Sequence, residues 1–263
     1  MVKLLTEDLP LTPQCVHFEK KEDVPHNIAK YWAQRYSIFS LYDEGILFTD
    51  DAWFGVTPEP IANQIAYDMS PIHTSKTVII DCFGGIGGNS IAFALSGRWE
   101  HVVCVERDAS TLACAQRNAK LYDVPSGVIS FVHGDSFMLL ELASKRPKKL
   151  PKKLRLSPDN TVIFASPPWG GPGYVSDSVF DLSGMQPYSL ADLHGAYKCF
   201  DHALFLPRTS DLRQIADLVP DGNAKIEVVQ YCMNGASKAL VAYILDQTGK
   251  EVEVGTGTEV TPV

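Results

Sequence analysis

The chain has 263 residues, of which 45% are hydrophobic and 21% charged; that globular balance supplies a core for one α/β domain and a small appendage. No apolar run reaches the roughly 18–20 residues of a membrane span, and residues 1–20 lack the basic-then-apolar layout of a signal peptide, so a soluble, intracellular protein with no membrane partner is expected. A net charge of −8 argues against coating nucleic acid through bulk charge, yet leaves room for a local basic site.

Residues 1–26 are polar, proline-dotted and aperiodic, and read as a flexible arm. Residues 27–42 read as a helix, with Ile28, Tyr31, Trp32, Tyr36 and Phe39 as its apolar positions. Thr57-Pro58-Glu59 then supplies a cap, a first-turn proline and an acidic residue for a second helix running to about Asp68. Together these make a small helical extension over 27–70, ahead of a main domain expected over 71–249.

In that domain the pattern changes. Thr77-Val78-Ile79-Ile80-Asp81 is short, β-branched and apolar, as in a parallel strand buried on both faces. Similar runs occupy 102–106, 128–133 and 161–165, with helical stretches near 89–96, 109–122 and 136–143 between them. Such alternation predicts a doubly wound α/β fold. Further strands at 203–206, 225–233 and 239–245, the last two joined through Asn234-Gly235-Ala236-Ser237, predict a seven-stranded sheet ending in an antiparallel hairpin. Residues 250–263 read as a frayed tail.

The six cysteines form no Cys-x-x-Cys pair and the seven histidines are scattered, so reduced thiols and no metal site are expected. One segment stands apart. Residues 145–155, Lys-Arg-Pro-Lys-Lys-Leu-Pro-Lys-Lys-Leu-Arg, are basic and broken by prolines. An RNA-contacting or nuclear-import segment and a plain solvated loop are equally good readings.

Asp81-Cys82-Phe83-Gly84-Gly85-Ile86-Gly87-Gly88-Asn89 follows the first strand of the alternation and opens a helix. Gly85 and Gly87 allow a tight turn and close approach to a ligand; Ser90 stands where a dinucleotide fingerprint has its third glycine. Glu106 ends the next strand, where an acidic residue accepts hydrogen bonds from ribose hydroxyls. Asp81 is placed to meet a cofactor's amino-acid end or the loop amides. Asp135 suits an adenine amino group or, equally, a helix cap.

Ser166-Pro167-Pro168-Trp169 follows the strand at 161–165. Two prolines stiffen the loop, aiming the Ser166 side chain and the Pro167 carbonyl at an amino group, and Trp169 offers a flat face to a base. The four residues resemble the (Asp/Asn/Ser)-Pro-Pro-(Tyr/Phe/Trp) signature of methyltransferases that act on amino nitrogens. More closely, Lys30 to Tyr36, Trp53 to Glu59, Phe83 to Asn89, Ser166 to Pro172 and Phe205 to Arg208 resemble the trimethylguanosine synthases, the RNA cap guanine-N2 methyltransferases.

That resemblance implies a Rossmann-like, class I S-adenosylmethionine-dependent fold and conversion of 7-methylguanosine caps of small nuclear and nucleolar RNAs to 2,2,7-trimethylguanosine. Another amino methyltransferase, acting on adenine N6 or an internal guanine N2, is the alternative. It implies Ser166, Pro167 and Trp169 as catalytic residues, and Phe39, Thr57, Asp81, Gly85, Gly87, Asn89, Glu106, Asp135 and Ser166 around S-adenosylmethionine. Trp169 would stack on the cationic base. Lys30 and Arg208 would meet the triphosphate, with Tyr174 and Asn118 as further substrate contacts. A monomer in the nucleus is implied, in nucleoli or nuclear bodies, with the cytoplasm as a second location and ribonucleoprotein proteins as partners. Three departures from the family pattern stand out: Gly55 where Ser is common, Glu106 for Asp, and Gly84 for Cys.

Overall fold

The computed structural model describes residues 2–72, 76–170, 178–218, 225–233 and 235–245. In chain order these form β1 (Lys3–Leu4), α1 (Ala29–Trp32), α2 (Arg35–Ile38), α3 (Ala52–Gly55) and α4 (Glu59–Ile72). Next come β2 (Val78–Asp81), α5 (Gly88–Leu95), β3 (His101–Glu106), α6 (Ala109–Leu121), β4 (Ile129–His133) and α7 (Ser136–Lys145). The chain continues through β5 (Thr161–Ala165), α8 (Leu190–Tyr197), β6 (Asp201–Leu206), α9 (Leu212–Ala216), β7 (Lys225–Met233) and β8 (Ala236–Leu245).

Successive side chains of a strand point to opposite faces, and here both faces are covered. Ile79, Val102 and Val162 enter one core with Ile65 and Met69 of α4 and Phe93 of α5. Their neighbours Ile80, Val103 and Ile163 enter the other core with Leu139 of α7 and Leu193 of α8. This double burial is why the strands are apolar without alternation. Sheet order is β1-β4-β3-β2-β5-β6-β8-β7, with β4 to β6 parallel and β1, β8 and β7 antiparallel to their neighbours.

Eight strands are thus found among the described residues, one more than the sequence predicts. The addition is β1, in the segment expected to be a flexible arm. Lys3 and Leu4 pair with His133 and Val132, and cover what would be the open edge of β4. Further along, Leu9 donates its amide to Gln116 Oε1 at 2.8 Å, and Thr12 Oγ1 donates to Ser110 Oγ at 2.9 Å. Phe18 O accepts from both Trp32 Nε1 and Tyr42 OH. Polarity suggested disorder, but the Leu9 amide, the Phe18 carbonyl and the Thr12 hydroxyl are all engaged in tertiary hydrogen bonds. The tail over 250–263 lies outside the described residues.

The helix expected over 27–42 is instead α1 and α2, two single turns. Phe39 leaves α2 in an extended conformation and buries its ring against Phe48 and Tyr122. Burial of this aromatic cluster outweighs the few tenths of a kcal/mol per residue of helix propensity. Glu59 then ties the extension to the sheet domain: it accepts from the Ser40 amide at 2.6 Å and from Tyr122 OH at 2.6 Å.

Asn118 makes the other tie. It is fully buried on α6. Its Oδ1 accepts the Leu47 amide at 2.9 Å, and its Nδ2 donates to Leu47 O at 3.0 Å and Ile86 O at 3.1 Å. One side chain therefore joins α6, the helical extension and the loop after β2. Replacing Asn118 with Ala leaves three backbone groups without partners and should destabilise the protein by about 3 kcal/mol. Denaturant unfolding at constant m-value reads that loss; a change below a few tenths of a kcal/mol would show the clamp to be dispensable.

Candidate active site

The parallel pair β2 and β5 is where strand order reverses, and helices to either side of it lie on opposite faces. A crevice at the carboxyl ends of such a pair is the usual ligand site of an open α/β sheet. Here it is a cavity of about 1100 Å³, larger than the roughly 300–1,000 Å³ that suits one small molecule. The loop after β2 and the loop after β5 share its rim, so a cofactor and a base can lie side by side.

The first loop is built around glycine. A Cβ on Gly84 would overlap the buried Cys104 sulfur, and Gly87 has φ +96° and lies against Ala115 of α6. Cys104 thus occupies the volume that a cysteine at position 84 would need, which gives the Gly84 departure a physical reason. Glu106 folds back onto the loop. Its Oε2 accepts the Gly85 amide at 3.1 Å and its Oε1 the Asp108 amide at 2.8 Å. Glu106 lines the cavity, and a carboxylate oxygen can accept a second hydrogen bond. Asn89 donates to Thr57 Oγ1 at 3.0 Å, while its own Oδ1 is buried without a partner. Unpaired buried acceptors are costly. They suit a ligand that brings hydroxyl or ammonium donors, as S-adenosylmethionine does.

Asp135 caps α7, accepting from the Phe137 and Met138 amides, and its Oδ2 accepts from Tyr188 OH at 2.7 Å. The cap is therefore real, and Asp135 also lines the cavity. On the opposite wall stand Ser166, Pro167, Pro168 and Trp169. The indole donates to Phe205 O at 3.3 Å and lies nearly parallel to the Phe205 ring, 10° between planes and 5.8 Å between centroids. A half-buried ring held by hydrogen bond and stacking is a rigid plate.

The cleft thus gathers Thr57, Gly85, Asn89, Glu106, Asp135, Ser166, Pro167 and Trp169. Gly87 and Asp81 adjoin lining residues in the chain but do not line the cavity themselves. Two expected residues lie elsewhere. Asn118, expected at the substrate, is the buried clamp described above, with every polar atom engaged by backbone. Phe39, expected over the cofactor, is 2% exposed and borders a separate 440 Å³ cavity behind Gly88. Lys30 is exposed near the rim, its ammonium 4.7 Å from the ring centroid of Tyr31, a lining residue. Arg208 is exposed just past the carboxyl end of β6, on the same side of the sheet as the cleft. Tyr174 falls outside the described residues.

Sequence reasoning missed other parts of the wall. Tyr31 and Phe54 meet edge to face at 5.3 Å and both line the cleft. Pro13 and Val16 reach it from the supposed arm. Tyr31 is half-buried and Phe54 exposed, and nothing in the sequence pointed the first 26 residues at the site.

A family profile described as RNA cap guanine-N2 methyltransferase matches residues 76–247. A trimethylguanosine synthase of Schizosaccharomyces pombe is 34% identical over 223 residues, spanning 84% of this chain and 87% of that protein. One from Saccharomyces cerevisiae is 33% identical over 219 residues, spanning 80% and 65%. Among solved structures, human methyltransferase 10 domain containing protein superposes with a TM-score of 0.57 at 15% identity, covering 84% of this chain and 98% of that one. That likeness establishes the Rossmann-like methyltransferase fold.

Asp81 carries the main charge cost of the site. It is fully buried at the end of β2, with Oδ2 accepting from Ser90 Oγ at 2.7 Å and Oδ1 unpartnered. Burial pushes its carboxyl up from 3.8 to about 7, against the opposing pull of the Ser90 hydroxyl. Between those two values the folded chain holds a proton that the unfolded chain has released. Stability should therefore be highest below the lower value and fall as pH rises through the window. Asp81→Asn should flatten that slope in denaturant unfolding across the window; an unchanged slope would place the titration elsewhere.

Proposed function

Because the chain belongs to the RNA cap guanine-N2 methyltransferase family, we propose that it methylates guanine N2 of 7-methylguanosine caps twice in succession, giving 2,2,7-trimethylguanosine, at the cleft between the β2 and β5 loops. The observation that carries the placement is the shared rim: a glycine loop with unpaired acceptors faces a diproline loop ending in a fixed indole. S-adenosylmethionine supplies the methyl group on a positively charged sulfur.

The chain's residues do the rest by position. Asp81, Asn89 and Glu106 are acceptors for the cofactor's amine and hydroxyls; Gly85 and Gly87 let its body approach the backbone. A guanine amino group is a weak nucleophile because its lone pair is delocalised into the ring. Accepting its hydrogens at Ser166 Oγ and Pro167 O concentrates electron density on nitrogen as it attacks. After transfer the nitrogen is acidic enough to release a proton to water, so no strong base is needed. Trp169 holds the ring plane, which fixes the attack geometry. Lys30 and Arg208, near the rim, take the triphosphate. Small nuclear and nucleolar RNAs are the proposed substrates, the nucleus the proposed site of action, and a monomer the proposed form.

N7-methylguanine carries positive charge, so an indole favours it over neutral guanine. Labelled methyl should pass to 7-methylguanosine caps and not to unmethylated caps; equal labelling of the two removes charge as the basis of selection. Trp169→Ala should weaken cap binding by about 2 kcal/mol, roughly thirtyfold, with cofactor affinity by calorimetry unchanged. Undiminished cap affinity in that variant contradicts the stacking role.

A further inference from the structure

The motif that this function leaves unused is the basic segment 145–155. Seven of the chain's 23 lysines and arginines fall in its eleven positions, in a protein of net charge −8. It folds as two 3-10 turns, Pro147–Lys149 and Lys152–Leu154, each preceded or opened by proline. Leu154 and Leu156 are buried in the core that α7 shares with β5, and Leu150 packs beside them. All seven cations are exposed. Lys145 pairs with Glu141 at 2.7 Å; among the described residues no carboxylate forms an ion pair with the other six. The result is a fixed positive surface, not a loose tether.

Its place in the fold follows from topology. The segment begins at the last residue of α7 and leads through residues 156–160 into β5, so it lies at the amino ends of the parallel strands. Lys153 sits over Gly127, just ahead of β4, at that same end. The cleft opens at the opposite end, a strand length away, roughly 16 Å for the five residues of β5. These lysines therefore cannot touch a cap held in the cleft. They can meet a long polyanion whose first nucleotide is held there.

We propose that residues 145–155 form a second, sequence-independent RNA site, which binds phosphates of the RNA body while the cap occupies the cleft. The inference rests on the capped-RNA reading of that cleft. Cations spaced by turns on a rigid base suit phosphate oxygens, which position a nucleic acid without reading its bases. Recognition of the segment as an extended peptide by an import receptor fits the structure less well. It would pull Leu150, Leu154 and Leu156 out of the core.

The test combines Lys148→Gln, Lys149→Gln, Lys152→Gln and Lys153→Gln in one full-length variant, checked for an unchanged unfolding midpoint. A capped oligoribonucleotide long enough to reach the loop is compared with a cap dinucleotide, by methyl-transfer KM and by fluorescence anisotropy over a salt series. The proposal expects affinity for the long RNA to fall at least about fivefold, and its salt slope to flatten by up to about 3, since each single-strand phosphate contact contributes about 0.7. The dinucleotide KM should not change. Equal long-RNA binding by variant and parent overturns the proposal; if nuclear accumulation is lost at the same time, the segment belongs to an import receptor. An equal rise in both KM values also overturns it, because the loop would then be acting on the cleft. Failure of the parent to methylate a 7-methylguanosine cap would instead count against the cleft assignment, and the anisotropy series would still decide the fate of the loop.

Discussion

The parallel pairing of β2 with β5, Asp81 opposite Phe164, is the constraint on which the rest of the molecule depends. Right-handed crossovers carry the chain from β2 outward to β3 and β4, then back past β2 to β5. Helices of the two halves must then fall on opposite faces, and none can cover the carboxyl ends of the central pair. The loop after β2 and the loop after β5 meet across that uncovered edge. Neither loop could form the site alone: one offers acceptors and close backbone approach, the other a stiff elbow and a ring.

The rim is an expensive piece of structure. Asp81 is buried as a carboxyl with one oxygen unpaired, and Asn89, at the start of α5, has an unpaired buried oxygen. Each such atom costs on the order of 1–3 kcal/mol relative to a paired one. The surrounding ties offset this. Asn118 holds the loop through Ile86 O, Ser90 holds Asp81, and Thr57 holds Asn89. Rigid neighbours keep the acceptors from turning away to satisfy themselves, and a ligand can then gain the full benefit of pairing them.

Much of this was legible in the sequence because the central strands are buried twice over. Double burial forces runs such as Val78 to Ile80 and Val162 to Phe164 to be apolar throughout, and that pattern has few other causes. The glycine and diproline loops were legible because their residue types restrict backbone geometry directly. Asn118, expected at the substrate, is buried and bonded to the backbone of two other segments. A polar residue on a helix looks the same whether it faces a ligand or three backbone groups from distant segments, and only the tertiary fold distinguishes them. Phe39 turns its ring toward Phe48 and Tyr122 because α2 ends one residue earlier, a placement that helix periodicity does not give. The first strand was invisible, since two residues carry no period.

Charge placement reconciles an acidic chain with a polyanionic substrate. Among the described lining residues, the cleft carries Asp50, Asp51, Glu106, Asp108 and Asp135 against the single guanidinium of Arg107. Such a cavity favours cations and disfavours phosphate. A 7-methylated guanine and a sulfonium are both cations, so an acidic cleft with an aromatic plate selects for them together. A triphosphate following the base would be disfavoured inside such a cavity, and the proposed contacts Lys30 and Arg208 are exposed outside its lining. Burial raises the Glu106 carboxyl above its ordinary value, so the negative potential is strongest when that group is ionised, and a bound cation favours the ionised form. The cationic ligand and the acidic wall therefore strengthen one another, while neutral guanine gains nothing from the wall. On the proposed reading, selection for the methylated cap draws on the whole cleft, because the acidic wall and the indole face both favour a cationic base.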